Sequence, residues 1–445
     1  MIIIIYFSAI LIIGLLSSKS SNNKDNYFFA SRRITIIPFV ATLVTTWYGG
    51  ILSIGDFTAT YGISTWISFG LFYYLAALIF SFYFAPKIQQ LKISSLPSFF
   101  KTKLGKASSL LTSIIMLMIS SPAPYIMIFC IIISHIYKLS LLESILGGIT
   151  YSVSYIYRGG FTSVIKTDKL QFILMYLGFI LILYNLFTYT EYNNINALID
   201  NIPEEKFAIN WYSTLPWFIV ALTTFIDPNI IQRTYSGKNI KTVKKGFIYS
   251  IFLWIIFDFL TISVGLFATI PELGINNNEV YLKLAEEVFV NKPFLKSIFF
   301  ISLLSIVMST IDSYSFTSSM IIGRDIVPML FNKNDTVKNT KLSIIFTIII
   351  ASVLILIIGY DNINFVIDFW WFFGCLGGCM LIIPYILLLN NYIISRPIIV
   401  LILPGLIFIV LNVVNSNINS SPISIYISLL ASIFINLLFS KKLRQ

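Results

Sequence analysis

The chain has 445 residues, of which 57% are hydrophobic and only 11% are charged, and its formal net charge is +11. Soluble globular proteins use about 25% charged residues, so this composition excludes a water-soluble protein of the same length. The basic residues are scattered through short loops, which argues against nucleic-acid binding. A single polytopic membrane domain is the class that remains, because apolar runs of about 20 residues match the thickness of the hydrocarbon core.

Thirteen apolar spans are predicted along the chain. They cover residues 2–16, 34–61, 66–86, 108–137, 139–157, 161–189, 211–232, 246–270, 294–322, 342–358, 365–389, 397–414 and 423–439. The first span has neither a basic segment before it nor a small-residue cleavage site after it. It is therefore interpreted as a short transmembrane helix rather than a removable signal peptide.

The loops predict the orientation, because Lys and Arg residues are retained in the cytoplasm. With the N-terminus outside, the cytoplasmic loops and helix ends hold all but five of the 30 basic residues. The five on the outer side are Lys138, Lys206, Lys283, Lys292 and Lys296. We therefore predict a multi-pass protein of the cell (inner) membrane, with its N-terminus outside and its C-terminus in the cytoplasm.

Two spans contain residues that interrupt a helix. Span 2 includes "TTWYGGILSIGD", with Gly49 and Gly50, and span 7 includes "TTFIDPNIIQR", with Pro228 after Asp227. Proline removes a helical hydrogen bond and frees a carbonyl. Glycine in a membrane helix also serves close packing, but a broken membrane helix occurs only where protein or a cavity lines the break.

The two interrupted spans stand five spans apart. In transporters built from inverted repeats, broken helices occupy corresponding positions in the two halves and meet at a midplane site. This spacing predicts a first repeat over about 34–189 and a second over about 211–389. Helices 2–16, 397–414 and 423–439 would then be peripheral to a single transporter domain.

Span 9 carries many hydroxyl groups. Its stretch 305–319, "SIVMSTIDSYSFTSS", holds eight Ser or Thr residues and Asp312. Back-bonding to carbonyls four residues earlier explains part of the hydroxyls but not the carboxylate, which inside a membrane usually marks an ion or proton path. Hydroxyl, carboxylate and carbonyl oxygens suit a hard cation such as Na⁺. Span 9 is thus one predicted wall of a cation site, opposite the carbonyls freed in span 2.

Four segments resemble the sodium:solute symporter family and follow one another in the family's order. They are "NYFFASRR", "GGFTSVIKTDKLQ", "DPNIIQRTYSGK" and "VMSTIDSYSFTSSMIIGRD". The resemblance covers nearly the whole chain. It implies an all-α polytopic membrane protein with a five-plus-five inverted-repeat core, in which spans 2 and 7 are the broken first and sixth core helices.

The same resemblance implies a sodium site between the first and eighth core helices. By position, its side-chain ligands are Ser309 and Thr310, and its backbone ligands are the carbonyls of Thr45, Tyr48 and Ile306. A second cation site of some members corresponds here to Asp168, Ser309, Asp312 and Ser313. The acid at 312 replaces a small or hydroxyl residue of the usual pattern, which leaves open whether a second Na⁺ or a proton is carried.

A substrate cavity is implied between the first and sixth core helices. Asp227 stands where sugar carriers of the family place an amide, and its carboxylate either pairs with a cationic solute or caps the half-helix after Pro228. The other candidates for the cavity wall are Trp47, Tyr48, Gly49, Gly50, Trp66 and Phe225. Packing is the default interpretation of each aromatic residue, because 16% of the chain is aromatic.

Together these features predict a secondary transporter that couples inward Na⁺ movement to uptake of a small organic solute by alternating access. The alternatives are a proton-coupled symporter of the same fold and a sensor acting through a partner, since residues 440–445 leave no fused output domain. The sequence carries no nucleophile–base pair, metal cluster or cofactor motif, so an enzyme is not expected. The predicted partners are the solute, Na⁺ and the lipid bilayer, without cofactor, nucleic acid or obligate protein partner.

Overall fold

The computed structural model describes residues 2–17, 24–189, 195–275, 279–358, 364–414 and 422–442. These ranges form α-helices and one two-stranded sheet. The helices of the first half are α1 (Ile2–Ser17), α2 (Lys24–Phe29), α3 (Ile36–Thr45), α4 (Ile51–Tyr61), α5 (Phe72–Ile79), α6 (Ala85–Leu91), α7 (Leu96–Leu104), α8 (Lys106–Ile119), α9 (Ala123–Tyr137), α10 (Leu141–Gly159), α11 (Phe161–Tyr189) and α12 (Ile195–Asn201).

The second half continues in the same way, and its last two helices are flanked by the short strands β1 and β2. Its elements are α13 (Trp211–Thr214), α14 (Pro216–Ala221), α15 (Pro228–Ser236), α16 (Ile240–Phe267), α17 (Val280–Val288), α18 (Pro293–Met320), α19 (Val327–Phe331), α20 (Thr336–Ile358), α21 (Asn364–Gly377), α22 (Ile383–Leu389), β1 (Tyr392–Ile394), α23 (Pro397–Val414), α24 (Pro422–Phe439) and β2 (Ser440–Lys442). Several neighbouring helices are continuous through wider π-helical turns, such as Phe80–Phe84 between α5 and α6.

Eight helices are long and apolar enough to cross a membrane, and the number rises to ten if each of two bent pairs is one span. This count covers only the described residues. The remaining predicted spans coincide with α1 and α24, which are short apolar helices, and with α10. The polytopic membrane architecture is therefore confirmed, whereas the total of thirteen spans stays a prediction.

Both predicted helix breaks are present. The helix at Ile36–Tyr48 bends by 58° from Ile51–Tyr61, and Trp211–Phe225 bends by 40° from Pro228–Ser236. Gly49 and Gly50 separate the first pair, and a Cβ atom on Gly50 would lie 2.0 Å from the Trp370 ring. Side chains larger than glycine therefore do not fit at Gly50 without displacing Trp370.

The hydroxyl-rich helix α18 lies at the centre of the molecule. From Phe299 to Met320 every residue except the half-buried Tyr314 is buried. Its main neighbours are α11, α9, α20 and the turn at the first break. Its polar groups are thus surrounded by protein rather than by lipid, which is the arrangement that a bilayer requires of irregular or polar segments.

Contacts near the ends of the predicted spans join residues that are predicted to lie on the same side of the membrane. On the predicted inner side, Lys87 Nζ donates to Asn390 Oδ1 over 2.8 Å, and β1 pairs antiparallel with β2. On the predicted outer side, Lys296 Nζ donates to Glu286 Oε2 over 2.6 Å. The folding pattern agrees with the alternation of loops, while the identity of the cytoplasmic side stays a prediction.

The two broken helices are joined to each other through backbone atoms. The Ile34 N–H donates to the Ser236 carbonyl over 3.3 Å, and the Lys238 N–H donates to the Ile34 carbonyl over 3.0 Å. Gln89 Nε2 also donates to the Gly237 carbonyl over 3.1 Å. The two backbone bonds attach Ile34, which precedes α3, to the end of α15, and the Gln89 side chain attaches α6 to the same place.

Candidate functional site

Asp168 is a buried acid between α3, α11 and α18. Its Oδ1 accepts a hydrogen bond from Ser309 Oγ over 2.6 Å, and its Oδ2 accepts one from Thr42 Oγ1. The carboxylate has no exposed surface. A surface ion pair with the neighbouring lysines of α11 is therefore not its role, and the carboxylate is linked to one of the two predicted side-chain ligands of Na⁺.

Arg233 is the basic residue of this region, and the guanidinium has no exposed surface. Its Nη2 lies 3.0 Å from Thr42 Oγ1, 2.6 Å from Thr46 Oγ1 and 2.8 Å from Ser313 Oγ, and it donates to these hydroxyls. Thr42 in turn donates to Asp168. The hydroxyl of Thr42 therefore links the guanidinium to the carboxylate, in a network that spans α3, α11, α15 and α18.

The first break meets α18 at Thr310. Thr310 Oγ1 lies 3.2 Å from the Thr46 carbonyl and 3.2 Å from the Ile306 carbonyl. A Cβ atom on Gly49 would lie 2.5 Å from Thr310 Cγ2, so glycine permits this close approach. Oxygen atoms from the break and from α18 thus converge on the Thr310 hydroxyl.

The side chains of Thr45 and Tyr48 are engaged elsewhere. Thr45 Oγ1 donates to the Ala41 carbonyl over 2.9 Å, and Tyr48 Oη donates to the Trp254 carbonyl over 3.2 Å. These bonds orient the two side chains away from the Thr310 hydroxyl in the hydrogen-bond network and leave the backbone carbonyls in the role that was predicted for them. That role itself stays a prediction.

Among the four residues of the predicted second cation site, Asp168 and Ser309 contact each other, whereas Asp312 and Ser313 have other partners. Asp168 bonds Ser309 and Thr42, and Ser313 lies 2.8 Å from Arg233 and 3.0 Å from Thr46 Oγ1. Asp312 Oδ2 instead accepts a hydrogen bond from the buried Tyr155 of α10. Asp312 and Ser313 therefore lie on different sides of α18.

A cavity of about 110 Å³ lies beside the first break. Of the residues predicted to form its wall, Trp47, Tyr48, Gly50 and Asp227 line it. Gly49 packs on Thr310 instead. The other two also lie outside the lining: Trp66 packs near Gly70, and Phe225 stacks on Phe84 with ring centroids 4.4 Å apart.

Asp227 caps the second half-helix. Its Oδ1 accepts the backbone N–H of Ile230 over 2.9 Å, as the capping alternative predicts, and Tyr314 Oη donates to its Oδ2 over 3.4 Å. Both Asp227 and Tyr314 line the cavity. Capping and contact with a solute are therefore compatible, because the two oxygens of the carboxylate have different partners.

The sequence analysis missed several residues of the cavity. Asp258 of α16 lines it, and so do Tyr73, Tyr125, Tyr314 and Trp370. Asp258 had a detectable signal, since it interrupts the apolar run "FLWIIFDFLTISVG" and an acid at such a position is a functional candidate. The aromatic residues had none, because single aromatic residues are common throughout this chain.

Aromatic rings separate the cavity from a wider vestibule of about 640 Å³ on the predicted outer side. Phe69 lines the cavity, and its ring centroid lies 4.5 Å from that of Trp217 and 5.0 Å from that of Phe57. Trp217 and Phe57 line the vestibule. The three rings thus pack against one another where residues of the two linings meet.

The profile of the Sodium:solute symporter family matches residues 27–389, which include both broken helices, Asp168 and α18. The chain belongs to this family. One relative, the sodium/proline symporter of Haemophilus influenzae, is 24% identical over 304 residues. That match covers 62% of this chain and 60% of the relative, so the chain spans about three fifths of the length of that symporter.

Solved structures share the fold of this family member. A substrate-bound, outward-open Na⁺-coupled sialic acid symporter is 18% identical, with a TM-score of 0.80 over 99% of this chain and 98% of its own. MhsT in complex with L-phenylalanine is 13% identical, with a TM-score of 0.54 over 91% of this chain and 98% of its own.

A manganese transporter from Eremococcus coleocola is 14% identical, with a TM-score of 0.56 over 91% of this chain and 92% of its own. At these identities the three structures establish the fold alone. The predicted all-α transporter core with two broken helices is confirmed, and the repeat boundaries stay a prediction.

Proposed function

We propose that the protein is a Na⁺-coupled symporter that accumulates a small organic solute by alternating access. The observation that carries this proposal is the convergence of the Thr310 hydroxyl with the carbonyls of Thr46 and Ile306 at the first break. Oxygen atoms held in this way are the ligands that hard cations take. Membership of the Sodium:solute symporter family and the fold of a Na⁺-coupled sialic acid symporter support the choice of Na⁺.

The proposed sodium site has two side-chain ligands and three backbone ligands. The side chains are Ser309 and Thr310, and the carbonyls are those of Thr45, Tyr48 and Ile306. The Thr46 carbonyl, which accepts from Thr310, comes from the same break and lies between Thr45 and Tyr48 in the sequence. Asp168 accepts the Ser309 hydrogen bond and so supplies negative charge next to the site. The membrane potential can drive such a cation inward, with about 2.3 kcal/mol per charge per 100 mV.

Thermal unfolding of the purified protein in NaCl and in KCl of equal ionic strength tests this proposal. A ligand that binds only the native state stabilises it by RT ln(1 + [L]/Kd), so the midpoint should rise with Na⁺ and not with K⁺. An equal response to the two salts would contradict the sodium site. Proton coupling is the alternative that the Tyr155–Asp312 hydrogen bond favours, and uptake driven by a pH gradient without Na⁺ would establish it.

Replacing Asp168 with asparagine should weaken the sodium dependence of uptake while the protein still reaches the membrane. Asparagine retains an oxygen that accepts from Ser309 or Thr42, but it loses the charge next to the site. We expect at least about a tenfold higher half-saturating Na⁺ concentration, because hydrogen bonds to charged groups are worth about 1.5–3 kcal/mol. Uptake into membrane vesicles across a range of Na⁺ concentrations measures it.

Asp56→Asn is the matched control for this variant. Asp56 is also a buried acid, and its Oδ1 accepts the Val280 N–H over 2.9 Å, but it lies outside the network of Asp168. The sodium dependence of uptake by the Asp56→Asn variant should stay close to that of the wild type. Unchanged sodium dependence in Asp168→Asn would remove Asp168 from the ion pathway.

The orientation of the chain is a separate prediction, which rests on the distribution of Lys and Arg residues. A reporter that is active only outside the cytoplasm should respond at the N-terminus, and a cytoplasmic reporter should respond at the C-terminus. These results would support an odd number of spans in a cell membrane. Two ends on the same side would rule out thirteen spans.

A further inference from the structure

The cavity beside the first break has two acidic residues in its wall and no basic residue among the described residues that line it. Asp227 is one of the acids, and the buried Arg233 is among its charged neighbours. Asp258 is the other, and its polar neighbours are the tyrosines Tyr74, which donates to Oδ2, and Tyr48. The wall is therefore more suited to a positive than to a negative charge.

Aromatic rings cover much of the remaining wall. Trp47 and Tyr73 contact each other with ring centroids 4.8 Å apart, and Tyr125 contacts Tyr314 at 4.7 Å. Trp370 Nε1 donates to Tyr125 Oη over 3.2 Å, which holds the two rings together. All five residues line the cavity. Aromatic faces attract ammonium groups by cation–π interactions, and quaternary ammonium ligands are commonly bound by such rings.

The start of α15 at the cavity is a poor site for a solute carboxylate. Transporters of broken-helix architecture bind anionic groups at the N-termini of their half-helices. Here Asp227 already caps α15 through the Ile230 N–H. The side chain of Asp227 therefore occupies one of the N–H groups at the start of α15 that a solute carboxylate would need.

Two hydroxyl groups at the cavity have no partner within the described part of the protein. Thr65 and Thr224 line the cavity, and their Oγ1 atoms are buried without a hydrogen bond. Both residues are at least nine-tenths buried, at 0% and 2% exposure. Buried polar groups usually have partners, so a small shift of either side chain would let its hydroxyl bond to bound water or to a polar group of the solute.

The size of the cavity limits the solute. The cavity of about 110 Å³ is several times the volume of about 10–15 Å³ that a single water needs, so it has room for a small solute.

Building on the symport function proposed above, we propose that the transported solute is a small cationic ammonium compound that also carries a polar group. We place its ammonium group among the aromatic rings and the two acids, Asp227 and Asp258, and its polar group near Thr65 or Thr224. The choice follows from the two acids, the rings, the capped helix end and the unpartnered hydroxyls taken together.

Thermal unfolding of the purified full chain in NaCl tests the proposal with three probes of similar size. Choline carries a quaternary ammonium and a hydroxyl, 3,3-dimethyl-1-butanol replaces its nitrogen with carbon, and L-proline is a zwitterion. We expect choline to raise the midpoint and the other two to have little effect. Equal stabilisation by the neutral alcohol or by L-proline would overturn the proposal, and so would the absence of any response to choline.

Two variants identify the cavity as the binding site. Asp258→Asn and Asp227→Asn should each weaken choline binding by about tenfold or more, and asparagine retains the cap at 227 because it is as good an N-cap as aspartate. Asp56→Asn, with a buried acid outside the cavity, should bind choline as the wild type does. Wild-type affinity in both cavity variants would also overturn the proposal.

The response to Na⁺ alone separates this proposal from the one on which it rests. If Na⁺ raises the midpoint but choline does not, the ammonium solute is wrong and the sodium site stands. If choline binds equally well in NaCl and KCl and Na⁺ alone has no effect, the sodium coupling is wrong and the ammonium site stands.

Discussion

Arg233→Met is expected to destabilise the protein by about 3–5 kcal/mol, which is the usual cost of removing one partner from a buried charge pair. The change leaves Asp168 without its cationic neighbour, and the hydroxyls of Thr42, Thr46 and Ser313 lose their donor. The midpoint of thermal unfolding in detergent should fall strongly. In Arg233→Lys the midpoint should fall less, because lysine retains the positive charge.

A double variant tests whether the loss is due to the stranded carboxylate. Arg233→Met combined with Asp168→Asn removes both charges, so the double variant should be more stable than Arg233→Met alone. Coupling of this kind is measured by a double-mutant cycle. Additive effects would show that the two groups act independently, and a stable Arg233→Met would show that the network contributes little.

Ser309→Ala and Thr310→Ala should each weaken sodium affinity by about 10- to 150-fold. Either substitution removes one oxygen from the proposed site, where water cannot readily replace it, and a hydrogen bond to a charged group is worth about 1.5–3 kcal/mol. This energy corresponds to the stated range at about 1.4 kcal/mol per tenfold. The Na⁺ concentration that gives half-maximal thermal stabilisation, or half-maximal uptake, measures the effect.

Ser305→Ala is the matched control on the same helix. Ser305 is buried one turn before Ser309 and lies next to Tyr6 of α1, so it is outside the proposed shell of ligands. The sodium affinity of the Ser305→Ala variant should change much less than that of Ser309→Ala or Thr310→Ala. A loss as large as in the other two variants would indicate a diffuse polar face. No change in any of the three would mean that the hydroxyls bond only to protein, as Thr310 does with the Ile306 carbonyl.

The features that the sequence predicted best are those with a local cause. Gly49–Gly50 and Pro228 act on their own backbone, so both breaks were visible without any knowledge of tertiary structure. The hydroxyls of α18 predicted one wall of a cation site, and this stays a prediction, although the burial from Phe299 to Met320 places these groups inside the protein. Local chemistry and the length of each apolar run were enough for these conclusions.

The features that were missed depend on contacts between distant segments. Arg233 follows the predicted end of span 7 and was grouped with the inner loops, but α15 continues to Ser236 and buries its guanidinium. Its bond to Ser313 has no signal in the local sequence, and the interruption of an apolar run by Asp258 does not show which helices that acid approaches. Pairings of this kind are set by the packing of whole helices, and a single sequence contains no direct signal for them.

The joint between α3 and α15 consists of atoms that almost every amino acid carries. Its two hydrogen bonds use the N–H groups of Ile34 and Lys238 and the carbonyls of Ser236 and Ile34. Substitution at these positions leaves the bonds in place, with proline at 34 or 238 as the exception because it lacks the N–H group. The bonds themselves thus depend on backbone position rather than on side-chain chemistry, and substitution at the buried Ile34 and Ser236 is limited by packing instead.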